Sequence, residues 1–266
     1  MSASLERVRS ILFLPASNPR AIGHARESAA DLVILDLEDA VKAEDKESAR
    51  SAAVEAVASG WPMPIAIRLN GIGTEWHSLD VDAVARSDAQ FAVLPRATSG
   101  HLAHEVAEAV GKPLLAMIET PSGVLAAGEI ASNAAALIAG TNDLRADLRV
   151  PIDSDRGAIS ASLQLIVLAA RASGIPAFDG VFNDLEDVDG FAAECAEGRS
   201  FGFDGKSLIH PSQIAACHAA FAPSEAEIDR ARALVEAFNG GAERFGNEMI
   251  ERMHVETARR VLERAG

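Results

Sequence analysis

Short, almost unbroken apolar runs recur along the chain at 10–15, 32–37, 64–69, 90–95, 113–118, 135–140, 176–182 and 201–205 or slightly beyond. Amphipathic, alanine-rich segments at 19–30, 45–58, 101–110, 122–132, 157–173 and 185–197 lie between them. A strand apolar on both faces must be covered on both faces. Such strands alternating with helices through eight units predict an α/β fold, a parallel (β/α)8 barrel of the TIM type with its helices outside. An open doubly wound sheet is the alternative, but it usually carries a Gly-rich phosphate loop after an early strand. The turn after the first strand reads Ala16-Ser17-Asn18-Pro19, so the barrel is favoured.

The pattern changes after Pro223. Residues 224–238 read as a helix with Ser224 at its N-cap and Glu227 three positions on, a capping box. Asn239-Gly240-Gly241 breaks it, and 247–264 form a second helical stretch. The expected organisation is a barrel over 1–222 carrying the active site, followed by a helical extension over 223–266 that packs on its own barrel or on a neighbouring subunit.

Composition narrows the functional classes. Lys plus Arg number 24 against 39 Asp plus Glu, a net charge of −15, which disfavours nucleic acid and anionic membrane surfaces. A small phosphorylated ligand is still compatible if a few cations gather locally. The two cysteines, Cys195 and Cys217, have no paired spacing, so structural disulfides are not expected and a reduced, cytoplasmic setting fits. The first residues lack the apolar run of a signal peptide, and no stretch reaches transmembrane length. The chain contains no Tyr, which excludes tyrosine chemistry.

In a parallel barrel, functional groups gather at the carboxyl ends of the strands. Those ends read Asp36, Glu38 and Asp39; Arg68 and Asn70; Arg96; Glu119; Asn142 and Asp143; Asn183 and Asp184; Lys206 and His210. Crowded carboxylates repel unless a cation or proton neutralises them. Glu119 and Asp143 end successive buried strands and are the best metal candidates; oxygen ligands without His or Cys favour Mg2+ over Zn2+. The alternative is that they cap helices or form surface ion pairs. Arg68 suits a carboxylate or an enolate oxygen derived from a thioester. It equally suits a salt bridge to Asp36, Glu38 or Asp39, and the two roles are compatible. Strand alternation sends Asp36 and Glu38 to one side, Leu37 and Asp39 to the other. Glu38 and Asp39 are placed behind the ligands, holding metal-bound waters or Arg68, with helix capping as the alternative. A lone His such as His210 is more often structural than catalytic. No Ser-His-Asp or Cys-His set can be argued.

Six segments occur in a familiar order: Ser10-Ile-Leu-Phe-Leu-Pro15; Leu35-Asp-Leu-Glu-Asp-Ala-Val41 with Glu44-Asp-Lys46; Arg68-Leu-Asn-Gly71 with Thr74-Glu-Trp76; Met117-Ile-Glu-Thr-Pro121; Gly140-Thr-Asn-Asp-Leu144; and Leu208-Ile-His-Pro-Ser-Gln213. Together, over about residues 9–238, they resemble the citrate lyase beta subunit family of the aldolase and CoA-ester lyase superfamily. The resemblance implies a barrel that cleaves or forms the C–C bond of a 3-hydroxyacyl-CoA thioester such as citryl-, citramalyl- or malyl-CoA, with Mg2+. It further implies Glu119 and Asp143 as metal ligands, Glu119 and Arg68 in contact with substrate, and a homo-oligomer, a trimer or a multiple of one.

Three positions depart from that family's pattern. Ala16-Ser17 stands where a Gly is usual, crowding any ligand that passes the backbone there. Arg96 stands where a Lys is usual, which keeps the charge and changes its reach. Glu251, in Asn247-Glu-Met-Ile-Glu251, stands where relatives place the Asp thought to serve a neighbour's site as acid–base group. The extra methylene moves the carboxyl by over ~1 Å, and misplacement on that scale can cost about 10²-fold. The expected catalytic pair is therefore Arg68 and Glu251. The alternatives are a class II aldolase that cleaves CoA-free 4-hydroxy-2-oxo acids, and a non-catalytic subunit that binds a carrier-held thioester.

Overall fold

The structure is a computed structural model and describes residues 4–265. It divides into two compact units, Met1–Ala220 and Phe221–Gly266.

The first unit is a closed parallel barrel of eight strands: β1 (Ser10–Pro15), β2 (Leu32–Asp36), β3 (Ile65–Arg68), β4 (Phe91–Leu94), β5 (Leu114–Ile118), β6 (Ala136–Ala139), β7 (Ala177–Asp179) and β8 (Gly205–Leu208). Each strand pairs with its successor, and β8 closes on β1 with Ser10 opposite Lys206. The helices between them are α1 (Pro19–Arg26), α2 (Lys46–Ala58), α3 (His77–Ala85), α4 (Gly100–Val110), α5 (Pro121–Leu125), α6 (Ala127–Ala131), α7 (Thr141–Asp147), α8 (Ser160–Ala172), α9 (Val188–Phe201) and α10 (Ile214–Phe221). The (β/α)8 architecture read from the apolar runs is the architecture observed.

Alternation sends one set of strand residues inward. Ile11, Ile34, Ala66, Val93, Leu115, Ile138 and Phe178 form the barrel interior, with Leu5 and Val8 of the N-terminal segment packed into the same cluster. Continuing that inward set by one step in β2 and β3 reaches Asp36 and Arg68, and by two steps from Leu115, past Met117, reaches Glu119 just beyond β5. These polar side chains therefore stand at the top of an apolar column, where strands running in one direction bring them to one rim.

Several boundaries differ from the sequence reading. The last strand begins at Gly205; Phe201 closes α9, and Gly202, at φ 99°, is its left-handed cap. Phe201 is half-buried as the last residue of that helix, and Phe203 is buried just past the cap. The segment 122–132 is two short helices meeting at Ala126. Asp143 lies in the first turn of α7, four residues beyond the end of β6.

The second unit contains α11 (Glu225–Ala237), whose N-terminus is the expected Ser224–Glu227 capping box. A small antiparallel hairpin follows, β9 (Glu243–Phe245) and β10 (Glu248–Ile250), then α12 (Arg252–Ala265). The hairpin replaces the start of the helix expected from residue 247. Leu234, Ile250 and Val255 anchor this unit's own apolar cluster. Among the described residues, no helix is long and apolar enough to cross a membrane.

Candidate active site at the strand ends

A cavity of about 370 Å³ opens at the carboxyl rim of the barrel; Asp36, Asp39, Arg68, Glu119, Asn142, Asp143 and Asn183 line it, over apolar walls that include Phe13 and Met117. Glu38, Asn70 and Arg96 line an adjoining groove that shares Asp39. The rim residues from β2 to β6 thus converge.

The register explains the centre. Asp36 and Arg68 face each other across β2 and β3. Arg68 donates from Nε and Nη2 to the two carboxylate oxygens of Asp36, each at 2.6 Å. Its Nη1 stands 2.9 Å from Glu38 Oε2 and 3.6 Å from Asp39 Oδ2. The ring of Phe13 lies on one side of the guanidinium, and the Met117 sulfur is 3.7 Å from Nη1. Burial opposes charge on Arg68, but the Asp36 bond and the neighbouring acids outweigh it and hold its pKa above the ordinary value. The salt bridge expected for Arg68 is present, and the same side chain borders the cavity. Asp39 reaches the same guanidinium as Glu38, against the expected alternation, because the strand ends at Asp36 and the chain turns, with Val41 N–H donating to the Glu38 carbonyl.

Lys46 holds that turn in place. Its buried ammonium donates to the carbonyls of Leu37 and Glu38, each at 2.7 Å, and lies over the Trp76 ring. Asp80 plays a matching part behind β3, accepting from the Asn70 backbone and side-chain amides and from Arg50. Asn70 is thereby committed to structure. From sequence Lys46 is named only within the Glu44-Asp-Lys46 segment, without a role, and Asp80 lies on α3, a helix the sequence pattern did not reveal.

Glu119 is almost fully buried. Its Oε1 accepts the backbone N–H of Arg96 at 2.6 Å, while Oε2 has no hydrogen-bond partner. Gly140 makes the space: a Cβ there would overlap the Glu119 carboxylate and its Cβ. Burial raises the Glu119 pKa to about 7, against the Arg96 hydrogen bond and Arg68. Burial likewise raises Glu38 to about 8, with Asp39, Glu119 and Asp36 adding to it and Arg68 opposing. Asp143 is raised by burial and by Asp39. Five carboxylates, Asp36, Glu38, Asp39, Glu119 and Asp143, thus share two guanidiniums, Arg68 and Arg96. The cluster is short of positive charge, and the orphaned Glu119 oxygen fits a hard cation with Asp143 beside the same cavity. Among the described residues no group of three or more His, Cys, Asp or Glu is placed to hold a metal. A cation here would take two protein carboxylates and complete its shell with water and ligand oxygens, the mode Mg2+ favours.

Other rim residues have structural work. Lys206 points outward from β8, fully buried, and donates to Asp179 and Glu194, with Arg156 joining the same acids; it is absent from the cavity lining. His210 caps the turn at Pro211 by accepting from Ser212 N–H. Asp184 accepts from the amides of Glu186 and Asp187. At the opposite, amino-terminal end of β1, Ser10 Oγ is 2.8 Å from His218 Nε2, which is also 3.1 Å from Asp31. One imidazole nitrogen meets both partners, so this trio lacks the two-sided relay of a hydrolase. Cys195 and Cys217 are free thiols, both buried. Glu251 is exposed in the second unit, its backbone N–H donating to His254 Nδ1.

A closed (β/α)8 barrel with an acid-rich rim built around a buried Arg–Asp pair defines the class: a parallel α/β barrel with its polar groups gathered at the strand ends. The chain belongs to the HpcH/HpaI aldolase/citrate lyase family, whose model matches residues 9–211. It is 41% identical to a (3S)-malyl-CoA thioesterase of Cereibacter sphaeroides, over 97% of this chain and 94% of that protein. It is 33% identical to the citrate lyase subunit beta of Escherichia coli, over 100% and 97%. Among solved structures it is similar to CitE of Mycobacterium tuberculosis in complex with magnesium, acetoacetate and coenzyme A, with TM-score 0.86 and 32% identity, covering 98% of this chain and 100% of that one.

Proposed function

We propose that this protein is a Mg2+-dependent carbon–carbon lyase acting on a short 3-hydroxyacyl-CoA thioester of the malyl-CoA kind. The observation that carries the reading is the cavity shared by Arg68, Glu119 and Asp143, with one buried carboxylate oxygen of Glu119 left without a partner. The magnesium and coenzyme A bound by the M. tuberculosis protein, and the malyl-CoA thioester named for the C. sphaeroides relative, support the cofactor and the substrate class.

In this reading Glu119 and Asp143 hold the cation. When bound, it supplies positive charge that orients the oxygens of the hydroxy-acid end and stabilises them as the bond breaks. Arg68 is oriented by Asp36, and its fixed charge stabilises the thioester oxygen as the C–C electron pair moves onto it. Glu251 is assigned the proton: it accepts one from the substrate hydroxyl and returns it to the enolate carbon. Malyl-CoA then becomes glyoxylate and acetyl-CoA with no atom gained or lost. Glu38 and Asp39 keep Arg68 in place beneath the substrate. In this reading Glu251 comes from a neighbouring chain of a homo-oligomer.

A second reading, hydrolysis of the same thioester, is favoured by the 41% identity to a thioesterase. Water would add to the carbonyl carbon, the thiol would leave, and Arg68 would stabilise the same oxygen. Incubation of the purified protein with malyl-CoA and Mg2+ separates the two. C–C cleavage releases glyoxylate and leaves the thioester intact; hydrolysis releases malate and a free thiol. Absence of both products, with turnover of a CoA-free 4-hydroxy-2-oxo acid, would replace the reading by a CoA-independent aldolase. Inactivity on every soluble substrate, together with capture of a carrier-held thioester, would replace it by a binding subunit.

A further inference from the structure

Arg96 is one of two non-glycine residues with positive φ among the described residues, at φ 47°. Such backbone costs of order 1–3 kcal/mol for a residue with a Cβ, and persists where the surroundings demand it. The demand is visible. Arg96 N–H donates to Glu119 Oε1 and Ala97 N–H to the Met117 carbonyl, so two successive amides are turned onto β5 and the residue beyond it. The side chain meets the other candidate cation ligand: Nη1 is 3.4 Å from Asp143 and Nη2 is 3.1 Å from Asp147, with the side chain 43% exposed. Asp143 and Asp147 are one turn apart on α7, and Asp147 is its last residue. Like charges at that spacing repel, and a carboxylate at a helix C-terminus opposes the helix dipole. Asp147 is therefore a poor choice for the helix alone, and among the described residues its ion pair is with Arg96.

We propose that Arg96 is a positioning residue that acts as a built-in counter-cation: its guanidinium bridges Asp143 and Asp147 when no divalent ion is bound and is held by Asp147 alone when one is. This rests on the Mg2+ reading above and adds to it a competition between one side chain of the protein and the metal. Asp147 is the parking place, and the strained backbone of Arg96 keeps Glu119 aimed throughout.

Mg2+ titration by calorimetry on the full-length protein, two variants and their combination tests the idea. Arg96→Gly retains the amide and suits the backbone while removing the charge. It is expected to bind Mg2+ about threefold more tightly, the scale of a half-exposed ion pair. Asp147→Asn leaves the guanidinium only Asp143, and is expected to bind Mg2+ about threefold more weakly. Removing either charge would by itself shift the affinities in these opposite directions, so the deciding readout is Asp147→Asn combined with Arg96→Gly: competition predicts the affinity of Arg96→Gly alone, and a further weakening would overturn the proposal. Affinities equal to the parent's, or shifted in one direction in both variants, would overturn the proposal while leaving the metal reading intact. Failure of the parent and both variants to bind Mg2+ would overturn both. If Arg96→Gly does not fold by circular dichroism, Arg96→Asn, which tolerates positive φ, takes its place with the same expectation.

Discussion

Asp36 and Arg68 stand opposite each other in the β2–β3 register and are joined by two parallel hydrogen bonds of 2.6 Å. The pair is buried, so neither charge can be removed alone without cost. Arg68→Ala would leave Asp36 and Glu38 uncompensated, and a destabilisation of about 3–5 kcal/mol is expected by denaturant unfolding. Arg68→Lys keeps a charge but not the fork; its activity is expected to fall by at least ~10²-fold with a smaller loss of stability.

Gly140 is the second steric constraint. Its missing Cβ is the space in which the Glu119 carboxylate lies. Gly140→Ala is expected to cost ~1–3 kcal/mol through overpacking and to reduce turnover by about 10²-fold as Glu119 is displaced. A melt and a rate on the same preparation check this; unchanged values would remove Gly140 from the site.

The raised carboxyl groups give a pH dependence whose sign can be worked out. Glu38 and Glu119 ionise at about 8 and 7 in the folded protein against 4.5 ordinarily. Between those values the folded state holds protons that the unfolded state has released. Stability of the metal-free protein should therefore fall as pH rises from about 4.5 to 8 and level off above it. The proposed cation should bind with proton release near pH 7. Melting temperatures in EDTA across this range are the check; a rise in stability with pH would contradict the assignment.

Lys46 fixes the acidic turn through the Leu37 and Glu38 carbonyls. Lys46→Met fills the same volume and removes both bonds, so a loss of about 1–3 kcal/mol is expected from the unsatisfied acceptors. Because Glu38 and Asp39 then lose their anchor, activity should fall more than Mg2+ affinity.

The barrel was legible because doubly buried strands leave apolar runs that no surface element imitates, and the strand ends named Asp36, Arg68 and Glu119 directly; Asp143, expected at a strand end, lies in the first turn of α7. What stayed hidden depends on conformation rather than composition. Phe201 and Phe203 resemble strand residues but flank a left-handed Gly202. Asp39 changes side because the chain turns after Asp36. Lys206 carries the charge of a rim residue and faces the helix layer. Arg96 and Lys46 act through backbone groups of their neighbours, which no pattern of side-chain types reports.

The central claim, that Glu119 and Asp143 hold one divalent ion beside Arg68, is tested most directly by Mn2+ titration followed by electron paramagnetic resonance. The parent protein is expected to bind one Mn2+ per chain and release it to excess Mg2+. The Glu119→Gln, Asp143→Asn double variant should remain folded, melt no lower in EDTA because a buried charge has been removed, and bind none. Tight stoichiometric Mn2+ binding by that variant would contradict the account.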